Sequence, residues 1–235
     1  MSLRPLVSLA ASLLAISIVG YVVWTLASAP GVAPIGDLVG AVSPVPAAPA
    51  APDGAPTAAA ATPAVGGSGV PTPDPRWVTR MASRAGIPVP AMRAYARAQL
   101  ARPAGCALGW TTVAGIGWVE SQHGTLDGRA LGEDGVPSTP IVGPALTGGL
   151  DHAYGPMQFI PSTWARWASD GDGDGRADVD DLDDAAMAAM RYLCASGQDL
   201  ASGAGWSRAV FSYNRSQDYV SQVYAAASAY AARTR

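Results

Sequence analysis

Lysine is absent from this 235-residue chain, and its 15 basic residues, all arginine, are outnumbered by 18 acidic ones. The resulting net charge of −3 excludes a nucleic-acid binder that works by general basicity. Cysteine is scarce: Cys106 and Cys194 are the only two, and they lack metal-ligand spacing. No coiled-coil heptads are present, and a monomer is expected. Aromatic residues make up only 7%, yet six of the seven tryptophans lie beyond residue 75, so that part can build a core. Glutamate occurs only twice, at Glu120 and Glu133.

Proline is unevenly placed. Eleven of the 20 prolines fall between Pro30 and Pro75, which excludes helix or sheet interior there. Residues 30–75 carry only Asp37, Asp53 and Asp74 as charges and read as a disordered Pro/Ala/Gly-rich linker. Extended in polyproline fashion, such a tether reaches about 140 Å. Before it, one charge (Arg4) precedes an uncharged, mostly apolar run from Leu6 to Ala29. Twenty such residues span about 30 Å as a helix, the thickness of a bilayer core. Tyr21 and Trp24 suit its interfacial end. Ala27-Ser28-Ala29 resembles a signal-peptide cleavage site, so residues 1–29 read as a signal anchor or a cleaved signal peptide. Either reading exports residues 76–235 and leaves them anchored to the membrane or secreted.

Export suits the cysteines to one disulfide, with a catalytic thiol as the competing reading. Closing the 88-residue loop between Cys106 and Cys194 is worth at most about 4–5 kcal/mol on the chain-entropy argument. Apolar stripes of helical period predict helices over 76–85, 89–101, 109–122, 183–195, 208–213 and 217–232, with another starting at Pro161-Ser162. Residues 125–149, rich in Gly, Pro and Asp, predict a long irregular loop with room for a short hairpin. The domain is expected to be all-α.

Glu120 stands at the last turn of the most apolar helix, in Trp118-Val119-Glu120-Ser121-Gln122-His123-Gly124. The negative end of the helix dipole and apolar surroundings both raise a carboxyl pKa, as a general acid at neutral pH requires. A solvent-facing Glu at a helix end is the alternative. Glu133, beside Asp134 and Gly135, reads as solvated surface. Tyr154-Gly155-Pro156-Met157-Gln158-Phe159 holds a polar Gln158 in an apolar wall, where it can direct hydrogen bonds or be incidental to a turn. Tyr213-Asn214 ends an apolar helix just before Ser216, a good N-cap. Tyr213 can stack on a sugar or fill the core, and Asn214 can bind hydroxyls or cap the helix.

The most specific local pattern is acidic. Counting from Asp170, the residues Asp170, Asp172, Asp174, Asp178 and Asp181 fall at EF-hand positions, with Gly175 at the sharp turn. Arg176 would offer its backbone carbonyl. Eight aspartates between 170 and 184 repel one another unless a cation sits among them. One structural Ca²⁺ and no organic cofactor are expected.

Taken together, these residues resemble the B-type lytic murein transglycosylases, whose domain is goose-lysozyme-like. The resemblance runs through Glu120-Ser121-x-x-Gly124, Gly155-x-x-Gln158-Phe159-x-Pro161-Ser162, the acidic loop followed by Asp184-Ala185, and Tyr213-Asn214. It implies a lysozyme-like helical domain that cleaves the MurNAc–GlcNAc β-1,4 bond of peptidoglycan and leaves a 1,6-anhydro end. Glu120 would act as acid and then base, and Ser121, Tyr154, Met157, Gln158, Tyr213 and Asn214 would serve the saccharide cleft. The competing readings are a hydrolytic muramidase, with Asp127 or Asp151 activating water, and a tethered peptidoglycan-binding scaffold without catalysis.

Overall fold

The computed structural model describes residues 69–146 and 151–235. The expected N-terminal span and all but the last residues of the linker lie outside the described residues. Among the described residues, no helix is long and apolar enough to cross a membrane.

Helix α1 (Pro75–Ala85) begins where the sequence supplies a cap: the Asp74 carboxylate accepts from the Arg76 and Trp77 N–H groups at 2.7 and 3.0 Å. Those bonds satisfy donors that a helix start leaves without partners. Gly86, at φ 73°, ends it. Trp77, Val78, Met81, Ala82 and Ala85 form its buried stripe against α2 (Val89–Leu100). Helix α3 (Trp110–Ser121) is buried on nearly every side from Trp110 to Gly117. It is therefore the element the others wrap. The long C-terminal helix α7 (Gln217–Arg233) lies along it, capped at its start by the Ser216 hydroxyl.

Helix α4 (Pro161–Trp167) is short; α5 (Leu182–Cys194) packs on α2, and α6 (Gly203–Tyr213) leads directly to α7. The α2–α5 contact carries a buried ion pair. Asp183, fully buried, accepts from Arg93 at 2.9 Å and Arg97 at 2.8 Å. Two guanidinium groups supply the hydrogen bonds and countercharge that a buried carboxylate requires. Cys106 and Cys194 are disulfide-bonded, which ties the segment before α3 to the end of α5.

Two expectations need correction. The domain is mostly helical rather than all-α, because β1 (Val142–Ala145) pairs antiparallel with β2 (His152–Tyr154). Val-Gly-Pro-Ala gives no apolar alternation, and a Pro is tolerated because both strands of a two-stranded sheet are edges. Helix α6 starts at Gly203, five residues before its expected start. Glycine is a poor helix former, but Ser202 caps the helix by accepting from the Gly205 N–H at 3.1 Å.

The bridge closes a long loop, so replacing Cys106 and Cys194 together with Ala should lower the unfolding free energy by about 2–4 kcal/mol in urea titration. An unchanged midpoint would show the bridge to be idle.

Candidate active site

The end of α3 is shaped by an unusual turn. Gln122, His123 and Gly124 follow with φ of 51°, 64° and 84°. The His123 N–H returns to the Gly117 carbonyl at 2.9 Å, closing the helix end. Ser121 donates its hydroxyl hydrogen to the Pro156 carbonyl at 2.6 Å and accepts from the Gly124 N–H at 2.8 Å. It is 1% exposed, so the structure seats it as a fastener between α3 and the turn at residues 155–158.

Glu120 is half-buried on the last turn of α3. Burial pushes its carboxyl up from an ordinary value of 4.5 to about 7, against the opposing pull of one hydrogen bond. That bond comes from the Tyr219 hydroxyl on α7, which donates to Oε1 at 2.6 Å. Tyr219 stacks on Tyr213 at the end of α6, with ring centroids 6.4 Å apart and planes 4° from parallel. The Tyr213 hydroxyl donates to the Met157 carbonyl at 2.8 Å. Burial and then the charge of Glu120 raise both phenols well above their ordinary range, so they stay donors.

Sequence reading missed Tyr219. The available signal was the Ser216 cap, which fixes the phase of α7 and puts Tyr219 with Val220, Val223 and Ala227 on its buried face.

The turn from Tyr154 to Phe159 forms the facing wall. Tyr154 and Phe159 exchange backbone hydrogen bonds, both 2.9 Å, and the Gly155 N–H donates to the Ile141 carbonyl at 2.8 Å. Gly155 has φ 73°, and a side chain there would run into the Val179 carbonyl, so only glycine serves. Gln158, at φ 51°, donates its amide to the Gly155 carbonyl at 2.9 Å, with its Oε1 beside Gly143. Tyr154 and Gln158 are half-buried, while Met157 is fully buried. Asn214 is exposed at the end of α6. The structure thus gathers Glu120, Tyr213, Tyr219 and the Met157 carbonyl, with Ser121 tying in the turn that carries Gln158. Asp127 is 75% exposed and engaged by Arg129 at 3.2 Å, and Asp151 is exposed.

The acidic loop is built differently from the spacing argument. Carboxylate oxygens of Asp170, Asp172 and Asp184 lie within 4.8 Å of one another. Asp181, the expected twelfth-position ligand, instead caps α5 by accepting from the Asp183 N–H at 2.7 Å. Asp184 accepts from the Gly171 and Asp178 N–H groups at 2.6 and 2.7 Å, which aims its carboxylate back into the loop. Asp174 and Asp178 accept from the Arg176 and Asp180 N–H groups at 2.7 and 2.9 Å. Burial and neighbouring carboxylates push Asp181 up to about 7 and Asp184 to about 6, with backbone hydrogen bonds opposing.

Residues 139–210 match the model of a family described as the Transglycosylase SLT domain. That match, over part of the chain, supports an enzyme of the lytic transglycosylase type. The match covers the 154–159 turn and the acidic loop; Glu120 precedes it and Tyr213 and Tyr219 follow it. No curated protein sequence matches the chain. Among solved structures, the Escherichia coli lytic transglycosylase Slt35 in complex with bulgecin A is similar at 16% identity and a TM-score of 0.46, over 69% of this chain and 76% of that one.

The raised Glu120 pKa carries a stability signature. The folded chain holds this proton more tightly than the unfolded chain, so stability is full below pH 4.5 and is lost as pH rises through about 7. Glu120→Gln removes that loss. The variant should be more stable than the wild type at pH 8, by on the order of 2–3 kcal/mol and with a higher melting temperature, and match it near pH 4. Equal melting temperatures at both pH values would mean an ordinary, solvated carboxyl.

Proposed function

We propose that this enzyme cleaves the MurNAc–GlcNAc β-1,4 bond of peptidoglycan and releases 1,6-anhydro muramic ends, remodelling the cell wall outside the cytoplasm. The observation that carries the reading is Glu120, a carboxyl held near pKa 7 at a desolvated helix end with one phenol donor on Oε1. Protonated, Glu120 donates to the glycosidic oxygen, and the C1–O bond breaks as the leaving sugar takes the proton. The carboxylate so formed accepts the proton of the muramic C6 hydroxyl, whose oxygen closes onto C1. Tyr219 stabilises the carboxylate between the two steps. An intramolecular nucleophile is worth an effective molarity of about 10⁵ M or more, so no second carboxylate is required. Asp127 and Asp151, which a hydrolytic route would need, are exposed, and Asp127 is ion-paired. Tyr154, Gln158, Tyr213 and Asn214 border the saccharide cleft, and Met157 backs it through the carbonyl that Tyr213 holds.

The acidic loop is proposed to bind one Ca²⁺ through Asp170, Asp172 and Asp184, with Asp174 and the Arg176 carbonyl beside them. The convergence of three carboxylates supports this, since hard cations take oxygen donors and relieve like-charge repulsion. The ion's contribution is structural. Residues 1–29 and 30–75 are proposed as anchor or signal and as tether, giving the enzyme reach across the envelope.

Purified peptidoglycan digested with the full chain should yield muropeptides lighter by one water than their hydrolytic counterparts, and Glu120→Gln should yield none. Hydrated reducing ends would make the enzyme a muramidase. Intact sacculi with bound, folded protein would make it a scaffold. For the ion, excess Ca²⁺ over EDTA should raise the melting temperature by about 5–10 °C, and Asp184→Asn should abolish that rise while Asp181→Asn preserves it. An identical melting curve in EDTA and Ca²⁺ would remove the site.

A further inference from the structure

Immediately beyond Glu120 the backbone adopts conformations that side-chain-bearing residues avoid. Gln122 and His123, neither of them glycine, take φ of 51° and 64°. Each costs on the order of 1 kcal/mol and persists only where the surroundings over-determine it. Here the His123 side chain supplies that constraint. It is 1% exposed, with Nδ1 2.8 Å from the Tyr95 hydroxyl on α2 and Nε2 2.9 Å from the Tyr230 hydroxyl on α7. The rings of Tyr95, Trp118 and Tyr230 surround the imidazole at centroid distances of 5.6, 5.7 and 5.8 Å. Burial pushes its pKa down to about 3, so it is neutral across the working range. A neutral imidazole has one donor and one acceptor nitrogen. One phenol therefore donates to it and the other accepts from it, which satisfies the ring completely.

This chain of three groups reaches both neighbours of α3. The Tyr95 hydroxyl occupies the space where any side chain at position 117 would sit, directly on the turn preceding Glu120. Tyr230 lies eleven residues after Tyr219, about three helical turns, so both phenols project from the same face of α7. One phenol of that face holds Glu120, and the other holds the residue three places further on.

We infer that His123 is a positioning residue, whose two phenol hydrogen bonds clamp the end of α3 between α2 and α7 and set the Glu120 carboxyl against the Tyr219 hydroxyl. The inference deepens the proposed function and rests on Glu120 acting as the acid. Neither His123, Tyr95 nor Tyr230 acts on substrate. A histidine that merely filled the core would affect stability when its partners lose their oxygens, but not the ionisation of a carboxyl three residues away.

Tyr95→Phe and Tyr230→Phe each delete one oxygen and keep the ring. With only two glutamates, ¹³C-labelled glutamate in the full chain gives two carboxyl resonances, and exposed Glu133 is an internal reference. In each variant the Glu120 titration should move down by about half a pH unit or more, with the Glu133 resonance as the reference. Water reaching a loosened helix end relieves the desolvation, and that relief outweighs the weakened Tyr219 bond. The phenols of Tyr213 and Tyr219, which also face Glu120, are unchanged in both variants. On peptidoglycan, kcat should fall about tenfold with KM unchanged. Folded variants whose Glu120 titration and kcat match the wild type would overturn the inference. If the wild type leaves peptidoglycan intact, the functional reading fails, and the titration alone still decides whether His123 positions Glu120.

Discussion

Glu120 sits where a carboxylate is hardest to keep charged: half-buried, at the negative end of the most apolar helix, with one phenol as its partner. Most of the surrounding construction follows from holding it there. An ordinary helix end would let the carboxyl turn into water and recover its usual acidity. Here the helix is enclosed by α2 and α7 and stopped by left-handed residues. Ser121 then pins it to the carbonyl of Pro156. Tyr219 opposes the desolvation only in part, which leaves the group poised near neutrality rather than fixed in either form.

The same constraint links parts of the chain distant in sequence. The turn that receives Ser121 also presents Gln158, and its Gly155 lies against the Val179 carbonyl of the acidic loop. That loop runs into α5, whose first turn is held by the Gly135 carbonyl and by Arg93 and Arg97 through Asp183. An acidic loop that loses its shape would therefore disturb the site wall through backbone contact, with no ligand in common. The disulfide fixes the other end of α5 to the segment leading into α3.

Much of this was legible in the sequence because the helices bury clear stripes and Glu120 is one of only two glutamates. The apolar run before it announced desolvation directly. What stayed hidden has identifiable physical causes. Tyr219 drew no reading, because only the packing of α7 on α3 shows that its hydroxyl reaches a carboxylate. Asp181 fits a linear count, but a helix start needs a cap, and Asp184 is left to turn back toward Asp170. The short hairpin allowed for within residues 125–149 is there as β1, but its partner β2 lies beyond that range, because strands of four and three residues are too short for alternation to register. Gly203 and Gly205 concealed the start of α6 because propensity weighs less than a good cap and a buried face.

The most direct measurement is the pH dependence of kcat/KM for the full chain on peptidoglycan, which reports the ionisation of the essential acid in the free enzyme. Activity should fall on the alkaline side with an apparent pKa of about 7, the value burial imposes on Glu120. Tyr219→Phe should shift that limb upward, because it removes the one bond that favours the charged form. A rate that already declines near pH 4.5, or one that Tyr219→Phe leaves in place, would contradict a desolvated Glu120 as the acid.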